Sequence, residues 1–333
     1  MKGEGIIGAA DTVTKAYIRK NEVFADAFNY FMYDGRQKIQ PEQLRELDST
    51  EIAILLNEKD TKDKTNKEKE ASEQKMVQKY RDLLKTATIM EDGEATYVLL
   101  GIENQTEVHY AMPVRNMLYD AMQYNQQVTE IAEKHKGKKG GKRQQKISTG
   151  EFLSGFYKNN KLIPVITLVL FFNPGEWDGP RSLFDMLDIS NPIFKKYAQD
   201  YKIHIISPKE ILESDLKKFS SSLREVIGCI KYSNDKNKLA AFIQDNPRMN
   251  IEVEAARVLE VITHTHIKRE EVDDMGNVNM CKAIREMIQD GRDEGRVQLL
   301  VTLIQSGDIS LQRAAALMNM TPEEFQEKSK MIS

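Results

Sequence analysis

Three residues in the first third of the chain have the types and spacing for metal-assisted chemistry: Asp82, Glu103 and Gln105. They flank the turn sequence Glu91-Asp92-Gly93-Glu94, which lies between two segments of strand character, 77–90 and 95–105. Asp-Gly suits the two central positions of a type I′ hairpin turn, where both residues need positive φ. With that turn, paired positions sum to 185, as 82 and 103 do. Asp82 and Glu103 are therefore expected directly opposite one another, with Cβ atoms roughly 5 Å apart. Gln105 follows two residues later on the same face. Like charges so placed repel unless something neutralises them. A hard divalent cation does so: Mg²⁺ takes one or two carboxylates and leaves positions for water and a phosphate oxygen. That chemistry suits phosphodiester hydrolysis, with Mn²⁺ as a substitute for Mg²⁺. The simpler alternative is a pair of solvated charges at strand ends.

The surrounding pattern supplies the scaffold. Residues 9–33 read as helix with a break near Asn21, and Pro113 to about Glu133 is amphipathic, with proline suited to the first turn. Residues 162–172 are apolar on both alternating faces, as in a central strand covered on both sides. This strand is expected to pair in parallel with the hairpin through a right-handed helical crossover. Residues 202–206 read as a further strand and 212–232 as largely helical. From Asp235 the pattern is helical to the end. The expected fold is α/β, a mixed central sheet flanked by helices with a helical C-terminal extension. The expected domains are 1–232, with polar insertions at about 57–76 and 134–150, and 233–333.

Tyr97-Val-Leu-Leu-Gly-Ile-Glu-Asn-Gln-Thr-Glu-Val-His-Tyr-Ala-Met-Pro-Val-Arg-Asn-Met-Leu-Tyr resembles the central motif of the recombination-promoting nuclease/transposase family, within the PD-(D/E)XK nuclease superfamily. In the resemblance Asp82 matches the aspartate strand, Glu103 and Gln105 the acidic-x-Gln element, and Arg115 and Tyr119 the following helix. Asp11 and Lys15 match an Asp-x-x-x-Lys on the first helix, and residues 162–172 with Glu176-Trp177 match the next strand and loop. The likeness spans about residues 9 to 230. It implies a restriction-endonuclease-like core and Mg²⁺-dependent DNA endonuclease activity, with Asp82, Glu103 and Asp11 as metal ligands and Arg115, Tyr119 and Lys15 toward substrate. The chain departs from the superfamily in carrying Gln105 where a catalytic lysine is usual, as the family itself does. The insertions leave the first strand, and any role of Asp48, open.

A net charge of −3 gives no whole-molecule field for nucleic acid, so such a surface must be local. The basic run from Lys134 to Lys146 is one: Lys138, Lys139, Lys142 and Arg143 are candidate phosphate contacts, or a plain solvated loop. Arg115 either holds a phosphate or pairs with Asp120 or Tyr119. Asp11 serves its helix as a cap or binds metal. His264 and His266 lack a visible third ligand, and Trp177 reads as packing. Cys229 and Cys281 form no disulfide framework, and no Cys/His spacing suggests zinc. With no apolar run long enough for a signal peptide or a membrane span, the expected protein is cytoplasmic, without membrane contact. The last helices, 307–328, have helix-turn-helix proportions, but their second helix is acidic and would repel phosphate. They read as a protein-contact or homodimer element. The rival from another class is a DNA- or protein-binding module on the same fold with weak or absent catalysis.

Overall fold

The computed structural model describes residues 4–47, 82–91, 94–137, 147–188, 190–244, 246–263 and 272–332. Helices α1 (Glu4–Ile18) and α2 (Asn21–Tyr33) come first, separated at the break expected near Asn21. Asp34, in the left-handed region at φ 55°, caps α2, and its N–H donates to the Asn29 carbonyl. The central sheet has five strands in sequential order: β1 (Arg45–Glu46), β2 (Leu83–Glu91), β3 (Glu94–Gln105), β4 (Val165–Phe171) and β5 (His204–Ile206). β1, β2 and β3 are antiparallel neighbours, whereas β4 and β5 run parallel to β3. The sheet is thus mixed, as expected.

The β2–β3 register runs from Leu83↔Ile102 to Glu91↔Glu94, every pair on the sum anticipated from the Asp-Gly turn. Alternation then sorts the side chains. Leu83, Ala87, Ile89, Val98, Leu100 and Ile102 enter the main core with Tyr17, Phe24 and Phe28 of α1 and α2. Leu84 and Leu99 face the other way, with Val165 and Tyr124. That second face is covered by α3 (Met112–Gly137), the crossover from β3 to β4. α3 runs past the expected end near Glu133, so Lys134, His135 and Lys136 belong to its last turn rather than to a loop.

Lys85 on β2 is 1 % exposed, and its ammonium donates to the Arg19 carbonyl at 2.6 Å and to Asn21 Oδ1 at 2.5 Å. It fastens the α1–α2 break to the sheet and supplies a partner to a carbonyl the helix end leaves over.

After β4 the chain forms the short helix α5 (Pro192–Tyr197), preceded by the capped helix α4 (Thr149–Ser154) before β4. α6 (Leu223–Tyr232), α7 (Lys236–Ile243) and α8 (Val253–Thr263) follow β5. The region beyond Asp235 is not purely helical: β6 (Asn250–Glu252) and β7 (Asn277–Asn279) make a two-stranded antiparallel sheet. The main core draws on both sides of residue 232, since Ile243, Ile251, Val258, Leu259, Val278 and Cys281 join it. A separate small cluster forms between α9 (Met280–Gln305), α10 (Leu311–Leu317) and α11 (Pro322–Ile332), around Val297, Leu300, Ala314 and Phe325. The caps expected there are present: Ser310 Oγ accepts from the Arg313 N–H, and Thr321 and Glu324 bond reciprocally. Cys229 and Cys281 are buried free thiols, and among the described residues no helix is long and apolar enough to cross a membrane.

Candidate active site

The site forms where β2 begins and β3 ends. Asp82 stands one residue before the β2 ladder, at the position opposite Glu103, and its Oδ2 accepts from the Asn104 N–H at 2.9 Å. The cross-strand placement of the two carboxylates therefore follows the anticipated register. Glu103 is fully buried on the face covered by α3, and the Asp82 side chain is 8 % exposed. Gln105 occupies the same face two residues on, partly exposed.

Two protein cations neutralise this pair. Lys15 Nζ on α1 lies 2.9 Å from Asp82 Oδ1 and 2.7 Å from Asp11 Oδ2, bridging the two aspartates. Arg115 Nη2 on α3 lies 3.2 Å from Glu103 Oε2, and its Nε donates to Tyr119 Oη at 3.2 Å. Partial burial works against the Lys15 charge, but the bonds to Asp11 and Asp82 overcome it and raise its pKa. The same balance holds for Arg115, where desolvation is outweighed by Glu103, Tyr119 and Asp82 together, which raise its pKa. Burial and then Glu103 push the Tyr119 phenol up, so it stays protonated and able to donate.

Several expectations change in detail. Asp11 lies inside α1 rather than at its start, so it makes an i,i+4 ion pair with Lys15 and caps nothing. Among the described residues no three His, Cys, Asp or Glu side chains gather into a metal-holding group, so Asp11 does not join Asp82 and Glu103 in one. Arg115 pairs with Glu103 and Tyr119, not with Asp120, which instead accepts from Thr167 Oγ1 at 2.7 Å and Tyr201 Oη at 2.6 Å. Trp177 is buried edge-on against Phe171, as packing. Lys138, Lys139, Lys142, Arg143, Asp48, His264 and His266 lie outside the described residues.

Sequence reasoning missed the polar residues around the carboxylates. Asn104, on the opposite face to Glu103, donates from Nδ2 to Thr14 Oγ1 of α1 and so holds α1, with Lys15, over the strand end. Asn104 Oδ1, His109 Nδ1 and both amide atoms of Asn116 are buried without a hydrogen-bond partner among the described residues. Asn104 stands near the end of β3, His109 in the loop that follows and Asn116 in the second turn of α3. Buried polar groups are normally satisfied, so such a concentration marks a place where water or a ligand belongs. It also bears on whether a hard cation fits: Asp82 and Glu103 offer carboxylate oxygens, Gln105 an amide oxygen, and the neighbouring amides suit a hydrated ion. Oxygen donors of these types are the ones Mg²⁺ takes.

The His109 pKa is lowered from its ordinary 6.5, first by burial and then by the Arg115 charge. Between the depressed folded value and 6.5 the unfolded chain binds more protons, so stability from this group is lost as pH falls through that window. His109→Gln is expected to flatten the stability profile there. Imidazole chemical shifts followed by NMR between pH 4 and 8 should place the midpoint below 6.5; a midpoint at or above it would contradict this account.

No protein-family model, curated protein or solved structure matches the chain.

Proposed function

We propose that this chain is a Mg²⁺-dependent DNA endonuclease on a restriction-endonuclease-like core, connected with recombination as its resemblance to the recombination-promoting nucleases implies. The observation that carries the reading is the cross-strand pair Asp82 and Glu103, both nearly buried and ringed by Lys15, Arg115 and Tyr119. Two facing carboxylates match the one or two that Mg²⁺ takes, and a bound cation relieves their mutual repulsion. The mixed α/β sheet, with three antiparallel strands, a crossover helix and parallel strands, supports the reading.

Asp82 and Glu103 would hold Mg²⁺, with Mn²⁺ a competent substitute. The bound ion would polarise the scissile phosphate and lower the pKa of an attacking water. Gln105 orients that water or the phosphate by hydrogen bonding, since an amide is no strong base. Lys15 and Arg115 are the cations that transfer from carboxylate to phosphate when DNA arrives, and Tyr119 keeps the guanidinium aimed. Lys138, Lys139, Lys142 and Arg143 would add salt-dependent contacts to flanking phosphates. The C-terminal helices would serve a protein contact such as a homodimer.

A second reading has its own support. Lys15 and Arg115 already neutralise both carboxylates, which is what a nuclease-like binding module without catalysis would retain. Purified protein incubated with supercoiled plasmid in Mg²⁺, Mn²⁺ or EDTA separates them. Nicking that needs metal is expected; intact plasmid under all three conditions, with DNA bound, would establish the binding module instead.

A further inference from the structure

Helix α3 descends along β4 in steps of one helical turn for two strand residues. Tyr124 Oη accepts from the Val165 N–H, and Asp120 accepts from Thr167 Oγ1. Met112, two turns earlier, packs in one cluster with Val169 and Phe171. A turn advances 5.4 Å and two strand residues about 6.6 Å, so the progression stays in step over this distance. It places Asn116 over Val169, whose partner in the β3–β4 register is Glu103.

Asn116 is 0 % exposed, as is Glu103. Its amide has two donors and an acceptor, none of them bonded among the described residues. The neighbouring positions on α3 are occupied by site residues: Arg115 reaches Glu103, and Tyr119 holds Arg115. Leucine would fill the same volume at lower cost, because an unbonded buried amide is penalised and an apolar isostere is not. A purely structural position therefore gives no reason for asparagine.

We infer that Asn116 is a positioning residue for Glu103: its amide holds the carboxylate, through hydrogen bonding within the buried site, when Arg115 turns away to phosphate. The inference rests on the nuclease reading and adds to it the group that keeps Glu103 oriented once its salt bridge opens. The role is that of outer groups at metal sites, which fix ligand direction and whose loss weakens metal binding by about 10–100-fold.

The test compares wild type, Asn116→Leu and Asn116→Ala in thermal melting, Mn²⁺ binding by calorimetry without DNA, and plasmid nicking. Asn116→Leu should melt at or above the wild-type temperature, yet bind Mn²⁺ about 10-fold or more weakly and nick correspondingly slower. Asn116→Ala, which cannot clash, should lose metal affinity to the same extent whatever its melting temperature. If the wild type binds Mn²⁺ and nicks DNA and the leucine variant matches it in both, Asn116 is structural and the inference falls alone. If Asn116→Leu fails to fold, unchanged Mn²⁺ affinity in Asn116→Ala overturns it equally. A wild type that neither binds Mn²⁺ nor nicks DNA removes the nuclease reading and this inference together.

Discussion

Asp82→Asn is expected to abolish metal-dependent nicking while leaving the fold close to wild-type stability. The substitution removes the negative charge but keeps an oxygen able to accept the Asn104 N–H now bonded at 2.9 Å. Lys15, released from Asp82, retains Asp11 at 2.7 Å, so no cation is left buried and unpaired. The stability change should stay within about 1 kcal/mol, as for a half-exposed ion pair that keeps one of two partners. The rate should fall at least roughly 10²–10³-fold, the scale of losing one charge-stabilising contact in a transition state. Glu103→Gln is a less clean probe, since it leaves the Arg115 guanidinium without its buried counter-charge. Plasmid nicking beside a thermal melt decides the matter. An Asp82→Asn enzyme that nicks at the wild-type rate would take Asp82 out of catalysis.

Asp26→Ala is expected to be the most destabilising single change in the main core. The carboxylate, 1 % exposed, accepts from the backbone N–H of Ser220 at 2.9 and 3.1 Å and of Ser221 at 2.9 Å. It also accepts from the hydroxyls of Ser220 at 3.0 Å and Ser221 at 2.6 Å. From the other side, Arg248 donates to the carbonyls of Ser220 and Ser221 and to the buried Glu225. The turn leading into α6 is thereby gripped at both its donors and its acceptors. Removing the carboxylate strands two backbone N–H groups, each costing about 1–3 kcal/mol. The sum should be about 3–5 kcal/mol after partial relief by water at the exposed Ser220 hydroxyl. Urea unfolding would read this directly, and a loss below about 1 kcal/mol would show that the turn is held by other contacts.

The register of the hairpin was legible because the pairing expected from the Asp92-Gly93 dipeptide in the sequence is the one that residues 83–91 and 94–102 carry, and alternation then assigns the faces. The crossover to β4 was legible because the helix from Met112 and the doubly apolar strand at residues 165–171 have distinct periods. The small sheet of β6 and β7 was not. Its strands are three residues each, too short to show alternation, and they meet across a long stretch of chain. Asn116 and Asn104 escaped notice for another reason. An asparagine in a helix or strand looks like surface polarity until the fold shows it buried. The grip of Asp26 on Ser220 and Ser221 joins residues with nothing local in common. The arrangement of Asp11, Lys15 and Asp82 was only half legible: i,i+4 spacing gives the first pair, but only tertiary packing brings the third.

The bonds that anchor the first two helices reach far along the chain: Tyr17 to Ser222, Lys20 to Glu254, Asp26 to Ser220. During synthesis the helices leave the ribosome long before those partners exist. At about 5–20 residues per second, some 200 residues take roughly 10–40 s to follow. In that interval Tyr17, Phe24 and Phe28, fully buried in the finished molecule, have the β2–β3 hairpin to pack against but not the partners supplied by the later helices. The helix that brings Lys15 to Asp82 thus meets the hairpin early but takes its last anchoring bonds only when most of the chain has been made.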